Sequence, residues 1–240
     1  MPKKPQRERA LRILDALAER FPDAKIELDY PAGDPWQLLV AVVLSAQSTD
    51  AGVNKVTPAL FAALPDVHAF ARAAPVEVEQ HIKSLGLFRN KAKSLVGAAQ
   101  AIVERHGGKV PDERARLEEL PGVGKKSAAV IVANAFGQPA IAVDTHVGRV
   151  SRRLGLTAED DPWKVEVELT ALLPKERLLE AHHTFIWHGR RICHARRPRC
   201  EECPVERWCH KVGVERPTKR AGPRAPRAEG PRSQARGRAG

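Results

Sequence analysis

All four cysteines of this 240-residue chain fall between positions 193 and 209. Everything before them must therefore fold on apolar packing alone, without a covalent staple. Cys193, Cys200, Cys203 and Cys209 follow the spacing Cys-x6-Cys-x2-Cys-x5-Cys, a single continuous loop. An even cysteine count in a secreted chain suggests disulfides. In a cytosolic chain, thiols gathered this closely suggest a metal site instead. Zinc ribbons usually pair two Cys-x2-Cys knuckles across a long spacer, which is absent here. One loop wrapping four thiolates suits an iron–sulfur cubane better.

The rest of the pattern is helical. Leu11, Leu14, Leu17, Ala18 and Phe21 recur at three- and four-residue spacing, the stripe of an amphipathic helix. Asp34-Pro35 is an N-cap followed by proline at the first helical position, and the apolar run 36–44 after it predicts a buried helix. Asn90–His106 predicts a helix closed by Gly107-Gly108. Further helices are expected near 52–63, 75–84, 113–119, 124–136, 145–154, 162–173 and 176–188. No alternation of apolar and polar residues is sustained, so the fold class is all-α.

A net charge of +11 and a pI near 9.9 point to a polyanionic partner, nucleic acid before an anionic membrane surface. No stretch approaches about 18 uninterrupted apolar residues, so no membrane span is expected. The basic N-terminus has no apolar core behind it and is not read as a secretory signal. The segment 216–240 carries eight basic residues and one acidic, which is +7 of the +11. Rich in Arg, Ala, Pro and Gly, it is expected to be a disordered basic tail.

Residues Leu120-Pro121-Gly122-Val123-Gly124-Lys125-Lys126 join two helical stretches through a tight turn. Two glycines there leave backbone N–H groups bare at a helix N-terminus, where the dipole is positive, a ready cradle for phosphate. An ordinary helical connector could share the glycines. The full string matches the helix–hairpin–helix signature of proteins that bind DNA without reading its sequence.

Lys125 and Lys126 occupy the first turn of the second helix. The dipole and the neighbouring ammonium both lower an amine pKa, and partial burial would lower it further. A partly neutral lysine can attack an aldehyde-like sugar carbon and form a Schiff base. The other reading is a lysine that contacts phosphate. Asp144 follows an apolar run and precedes a helix, the place of an N-cap. A carboxylate held ionised there could also stabilise an oxocarbenium-like sugar or orient a nucleophile.

Taken in order, Leu44-Ser45-Ala46-Gln47-Ser48-Thr49-Asp50, Gly86-Leu87-Phe88-Arg89-Asn90-Lys91-Ala92, the hairpin string, Ala142-Val143-Asp144-Thr145-His146 and the cysteine loop resemble the bacterial endonuclease III family. The resemblance covers residues 8–212 and implies a base-excision-repair DNA glycosylase with AP lyase activity on oxidised pyrimidines. It implies Lys126 as the Schiff-base lysine and Asp144 as the catalytic aspartate. It also implies one [4Fe-4S] cluster on Cys193, Cys200, Cys203 and Cys209. The family fold would divide the chain into a helical barrel over 28–138, with the hairpin at about 113–136, and a cluster lobe of 1–27 plus 139–215. The active cleft would lie between them.

Base extrusion leaves a gap in the duplex that must be filled. The family fills it with a glutamine and a leucine, which fall on Gln47 and Leu87. His146 falls on a DNA-facing position and Asp50 on the pocket, while Gly122, Gly124 and Lys125 belong to the phosphate cradle read from the hairpin. Phe88 stands where the family often has tyrosine. Among the cysteines, His194, Arg196, Arg197 and Arg199, with Pro198, read as a basic loop presented to phosphates or as an offset to the cluster's charge. The implied partner is double-stranded DNA with damaged bases or abasic sites. The expected setting is a monomer in the bacterial cytoplasm, at the nucleoid. Related adenine-excising enzymes lack the lysine and carry an extra C-terminal domain. A non-catalytic electron-transfer module would not need Lys126 with Asp144.

Overall fold

A computed structural model describes residues 3–214; the basic tail expected over 216–240 lies outside the described residues. Eleven α-helices appear in it, with no strand among the described residues, so the all-α expectation holds. They are α1 Lys4–Arg20, α2 Pro35–Ser45, α3 Asp50–Ala63, α4 Val67–Arg72, α5 Pro75–Ile82 and α6 Phe88–His106. After these come α7 Arg114–Glu118, α8 Lys125–Phe136, α9 Thr145–Leu154, α10 Pro162–Leu172 and α11 Leu178–Arg191. Single 3-10 turns at Lys175–Arg177, Cys200–Glu202 and Glu206–Trp208 complete the described chain.

Local chemistry sets these boundaries. Asp34 accepts from the Gln37 N–H at 2.9 Å, so α2 starts where the sequence places it. The run behind that cap is buried on every side, from Trp36 and Leu38 through to Leu44. Helix α4 was not expected from periodicity, being too short to show any. Its cap was legible: Asp66 accepts from the Ala69 N–H at 2.8 Å. Helix α6 begins at Phe88 rather than Asn90, because Leu87 takes a left-handed conformation and forces the start. Helix α11 runs on past 188 to Arg191.

Two apolar clusters organise the packing. The first gathers α2 to α8, with Trp36 edge-on to Phe70 at 5.1 Å between ring centroids. The second gathers α1, α9, α10 and α11 with Val205. The chain leaves the second cluster after Phe21, enters the first at Leu28, and returns through residues 140–143. There the side chains alternate: Ala140 and Ala142 pack in the first cluster, Ile141 and Val143 in the second. This extended segment is shared by both cores, and its next residue is Asp144. Among the described residues no helix is long and apolar enough to cross a membrane.

Candidate active site and nucleic-acid interface

Between the two clusters lies a cavity of about 250 Å³. That is below the ~300–1,000 Å³ of pockets for drug-sized ligands and in keeping with one base. Lys126 and Ser127 reach it from α8, Asp144 from the start of α9, and His182, His183 and Arg190 from α11. Gln47 and Asp50 line it as well. Four of the residues singled out in the sequence thus share one cavity: Gln47, Asp50, Lys126 and Asp144. Lys126 is exposed at its mouth.

Asp144 caps α9 as expected: its Oδ1 accepts from the N–H groups of His146 and Val147 at 2.8 and 2.7 Å. Asp50 lies at the start of α3, and its Oδ2 accepts from Arg190 Nη2 at 2.7 Å. Arg190 also pairs with Glu27. This bridge ties α3 to α11 across the cavity wall. Nothing in the sequence marked Arg190, which lies 140 residues from its partner.

Beside Lys126 and Asp144 in the cavity lining are two histidines that the sequence did not single out. His182 is buried, and its Nδ1–H donates to the Ala142 carbonyl at 3.0 Å. Burial drives its pKa down to about 4, against partial support from the nearby Asp144 carboxylate. Asn134 Nδ2 donates to the Val130 carbonyl, which leaves Asn134 Oδ1 to accept from His183 Nε2–H at 3.0 Å. Burial, and then His182 beside it, lower His183 to about 3. Both rings are neutral floor to the cavity at neutral pH.

The hairpin turn has the expected backbone logic. Gly122 sits at φ +80, and a Cβ there would lie 2.6 Å from Ser94 Cβ, so only glycine fits. Gly124 differs. Its φ is ordinary and a Cβ would meet nothing within 4 Å, so its bareness leaves open the space in front of the α8 N–H groups. Lys125 turns away from the cavity, with Nζ 4.7 Å from the ring centroid of Trp163 on α10. Arg114 fixes the same corner, donating to Glu166 of α10 and to the Lys125 carbonyl.

Gln47 and Leu87 stand on neighbouring loops, and a Cβ on Gly86 would lie 3.5 Å from the Gln47 carbonyl oxygen. Ser45 to Ser48 form a type II turn: Ala46 has φ −58 and ψ 116, Gln47 has φ 54, and the Ser48 N–H donates to the Ser45 carbonyl at 3.0 Å. Glycine is the favoured residue at the Gln47 position of such a turn. Leu87 has φ 58 and is 52% exposed. Each non-glycine residue held this way costs about 1–3 kcal/mol, which tends to mark function.

His146 is half-buried against Gly189, with Nδ1 3.2 Å from Arg149 Nη2, outside the cavity lining. Arg196 and Arg197 are exposed. Arg199 is spent on structure, donating to the Arg191 carbonyl and pairing with Glu202.

The four cysteines form no disulfide and line one pocket with Arg153, His188 and Ile192. Arg153 Nη1 donates to Cys193 Sγ at 3.4 Å, and the Lys211 N–H to Cys209 Sγ at 3.3 Å. Burial pushes the Cys203 thiol up to about 11, so loading this site must release protons. Among the described residues no group of three or more His, Cys, Asp or Glu side chains converges as ligands of one metal ion. Four sulfurs set around a volume fit a cluster that carries its own sulfide.

Comparison with known proteins bears on both sites. Residues 40–175 match the family model of the HhH-GPD superfamily base excision DNA repair protein. Residues 193–209 match the iron-sulfur binding domain of endonuclease III. Endonuclease III of Synechocystis sp. is 47% identical over 205 residues, covering 85% of this chain and 93% of that protein. Endonuclease III of Bacillus subtilis is 47% identical over 199 residues, covering 82% of this chain and 90% of that protein. A solved structure of a trapped endonuclease III–DNA covalent intermediate, an estranged-adenine complex, superposes with a TM-score of 0.81. It is 44% identical, covering 88% of this chain and 97% of that one.

Proposed function

The chain belongs to the endonuclease III family within the HhH-GPD superfamily of base excision DNA repair proteins, and we propose that Lys126 and Asp144 carry its chemistry. It is a DNA glycosylase and AP lyase with one [4Fe-4S] cluster. One observation supports the residue assignment above all: Lys126 and Asp144, from different helices, line the same base-sized cavity.

In this reading a damaged base, turned out of the duplex, enters the cavity. The Lys126 amine forms a bond to C1′ as the glycosidic bond breaks and the base leaves with a proton. The free charge of Asp144 faces the positive character that develops on the sugar. Opening of the sugar ring gives the Schiff base. Loss of a C2′ proton then breaks the C3′–O bond and releases the 3′ phosphate, which is β-elimination. Neutral His182 and His183 hold the cavity floor without adding positive charge beside Lys126.

Gly122, Gly124 and Lys125 meet phosphate, Gln47 and Leu87 fill the gap left by the base, and Asp50 shapes the pocket through Arg190. Arg197 adds basic charge beside the cysteine loop, and His146, at the head of α9, is a further residue that faces DNA. The cluster, once bound, supplies a fixed structural centre for residues 193–209. The two apolar clusters correspond to a barrel and a cluster lobe, and the basic segment 216–240 adds affinity by charge alone. The protein works as a monomer on bacterial DNA in the cytoplasm, and its lesions are oxidised pyrimidines.

A panel of duplexes carrying thymine glycol, dihydrouracil, uracil, an adenine mismatch or an abasic site tests this. Release of thymine glycol and dihydrouracil together with strand cleavage at abasic sites is expected. Release of adenine alone, without borohydride trapping, would overturn the reading.

A further inference from the structure

One buried cation has no part in the chemistry described so far. Lys91, one turn into α6, is only 4% exposed. No carboxylate among the described residues lies within ion-pair distance of it. Its Nζ donates to Ser48 Oγ at 2.7 Å, and its backbone N–H donates to the Leu87 carbonyl at 3.0 Å. An ammonium buried without a counter-charge destabilises a fold relative to an apolar side chain of similar size. Packing alone would favour methionine here.

What Lys91 touches is specific. Ser48 closes the type II turn that holds Gln47 at positive φ, and Leu87 is the left-handed residue that starts the helix of Lys91. The Lys91 side chain therefore ties the loop that presents Gln47 to the first turn of α6, which the backbone of Lys91 joins to Leu87. Those loops already meet where Gly86 approaches the Gln47 carbonyl. A type II turn with glutamine in place of glycine would relax if released.

We propose that Lys91 is a positioning residue: through Ser48 it locks the Gln47 turn to the Leu87 turn, so that both side chains enter the duplex as one rigid wedge. This rests on the reading of Gln47 and Leu87 as gap fillers. Lys91 itself touches neither base nor sugar.

The test uses the full-length, cluster-loaded protein. Base release from a dihydrouracil duplex needs extrusion, and cleavage at an abasic site needs it least. In Lys91→Met, single-turnover base release should fall by about 10-fold, the effect of ~1.4 kcal/mol of lost positioning, with abasic-site cleavage reduced far less. Thermal stability should hold or rise, since a buried charge is removed. Ser48→Ala should give the same split, and the double variant should be no worse than either single one. Amide exchange in 45–49 and 86–88 of the free protein should quicken in both variants. Leu87→Ala, run in parallel, separates the two ideas. If it shows the split and Lys91→Met does not, Lys91 only packs. If Leu87→Ala slows both substrates equally, the wedge reading fails and the proposal falls with it. A lower melting temperature with equal losses on both substrates in Lys91→Met would also overturn it.

Discussion

The Oδ1 atom of Asp144 accepts the backbone N–H of Val147 at 2.7 Å, which fixes the carboxylate at the head of α9 while its side chain still lines the cavity. The same oxygen takes the His146 N–H at 2.8 Å, so one oxygen carries both recorded bonds of the cap. Capping and catalysis are thus separable by substitution. Asparagine caps a helix about as well as aspartate, whereas alanine costs ~1 kcal/mol. Asp144→Asn should keep the melting temperature and slow base release by about 10²-fold, if the lost charge is what stabilises the sugar. Asp144→Ala should lose both. Melting temperatures and rates equal to the wild type's in both variants would assign Asp144 to neither role.

Adjacent lysines of α8 point to different tasks. Lys126 lines the cavity, while Lys125 lies over the Trp163 ring at the junction with α10. Lys126→Ala should abolish borohydride trapping on an abasic duplex, with binding retained. Lys125→Ala should keep trapping and weaken binding, making the slope of log affinity against log salt shallower by about 0.9 for one lost phosphate contact. Trapping retained in Lys126→Ala and lost in Lys125→Ala would exchange the two roles.

The purified protein should be yellow-brown, with iron and sulfide at about four each per chain. Burial raises the Cys203 thiol, and Cys200 and Cys209 in the same direction, so removal of the cluster leaves protonated thiols in an emptied pocket. Stripping the metal, or Cys200→Ser, should then destabilise residues 193–209 and lower the melting temperature. Limited proteolysis should cut first in that loop. A colourless, zinc-loaded protein with an unchanged melting temperature and full activity would remove the cluster from the account.

How far the sequence could be read depended on the range of the interaction. Asp34, Thr49, Asp144 and Asp161 cap helices through partners two or three residues away, so their roles were written locally. The hairpin and the cysteine spacing are local too. The Arg190–Asp50 bridge, the Lys125–Trp163 stack and the His182 bond to Ala142 join positions far apart in the chain. No periodicity announces such pairs. Lys91 was in view only as part of a resemblance string, because a lysine on an amphipathic helix reads as solvated until its burial is known. Exposed Lys126 shows the reverse, since its place in the first turn was legible and its degree of exposure was not.

The buried pair His182 and His183 makes stability depend on pH with a definite sign. Their pKa values in the folded protein are about 4 and about 3, below the usual value near 6.5 of an unfolded chain. Between those limits the unfolded state binds more protons than the folded one, so stability falls as pH drops from about 6.5 towards 4. Above that window both rings are neutral in either state and contribute no slope. His182→Asn can still donate a hydrogen bond to the Ala142 carbonyl and has no proton to take up. Urea unfolding of the wild type and His182→Asn at pH values on both sides of the window, as about pH 7.5 and 5, measures the difference. The wild type should lose more stability than the variant over that interval, and above pH 7 the difference between the two should stop changing with pH. Because both proteins carry the same cluster, acid lability of the cluster shifts the two curves together and cancels. Parallel loss in both proteins would mean that His182 takes up its proton equally in the folded and unfolded states, and that its burial does not set the acid limit.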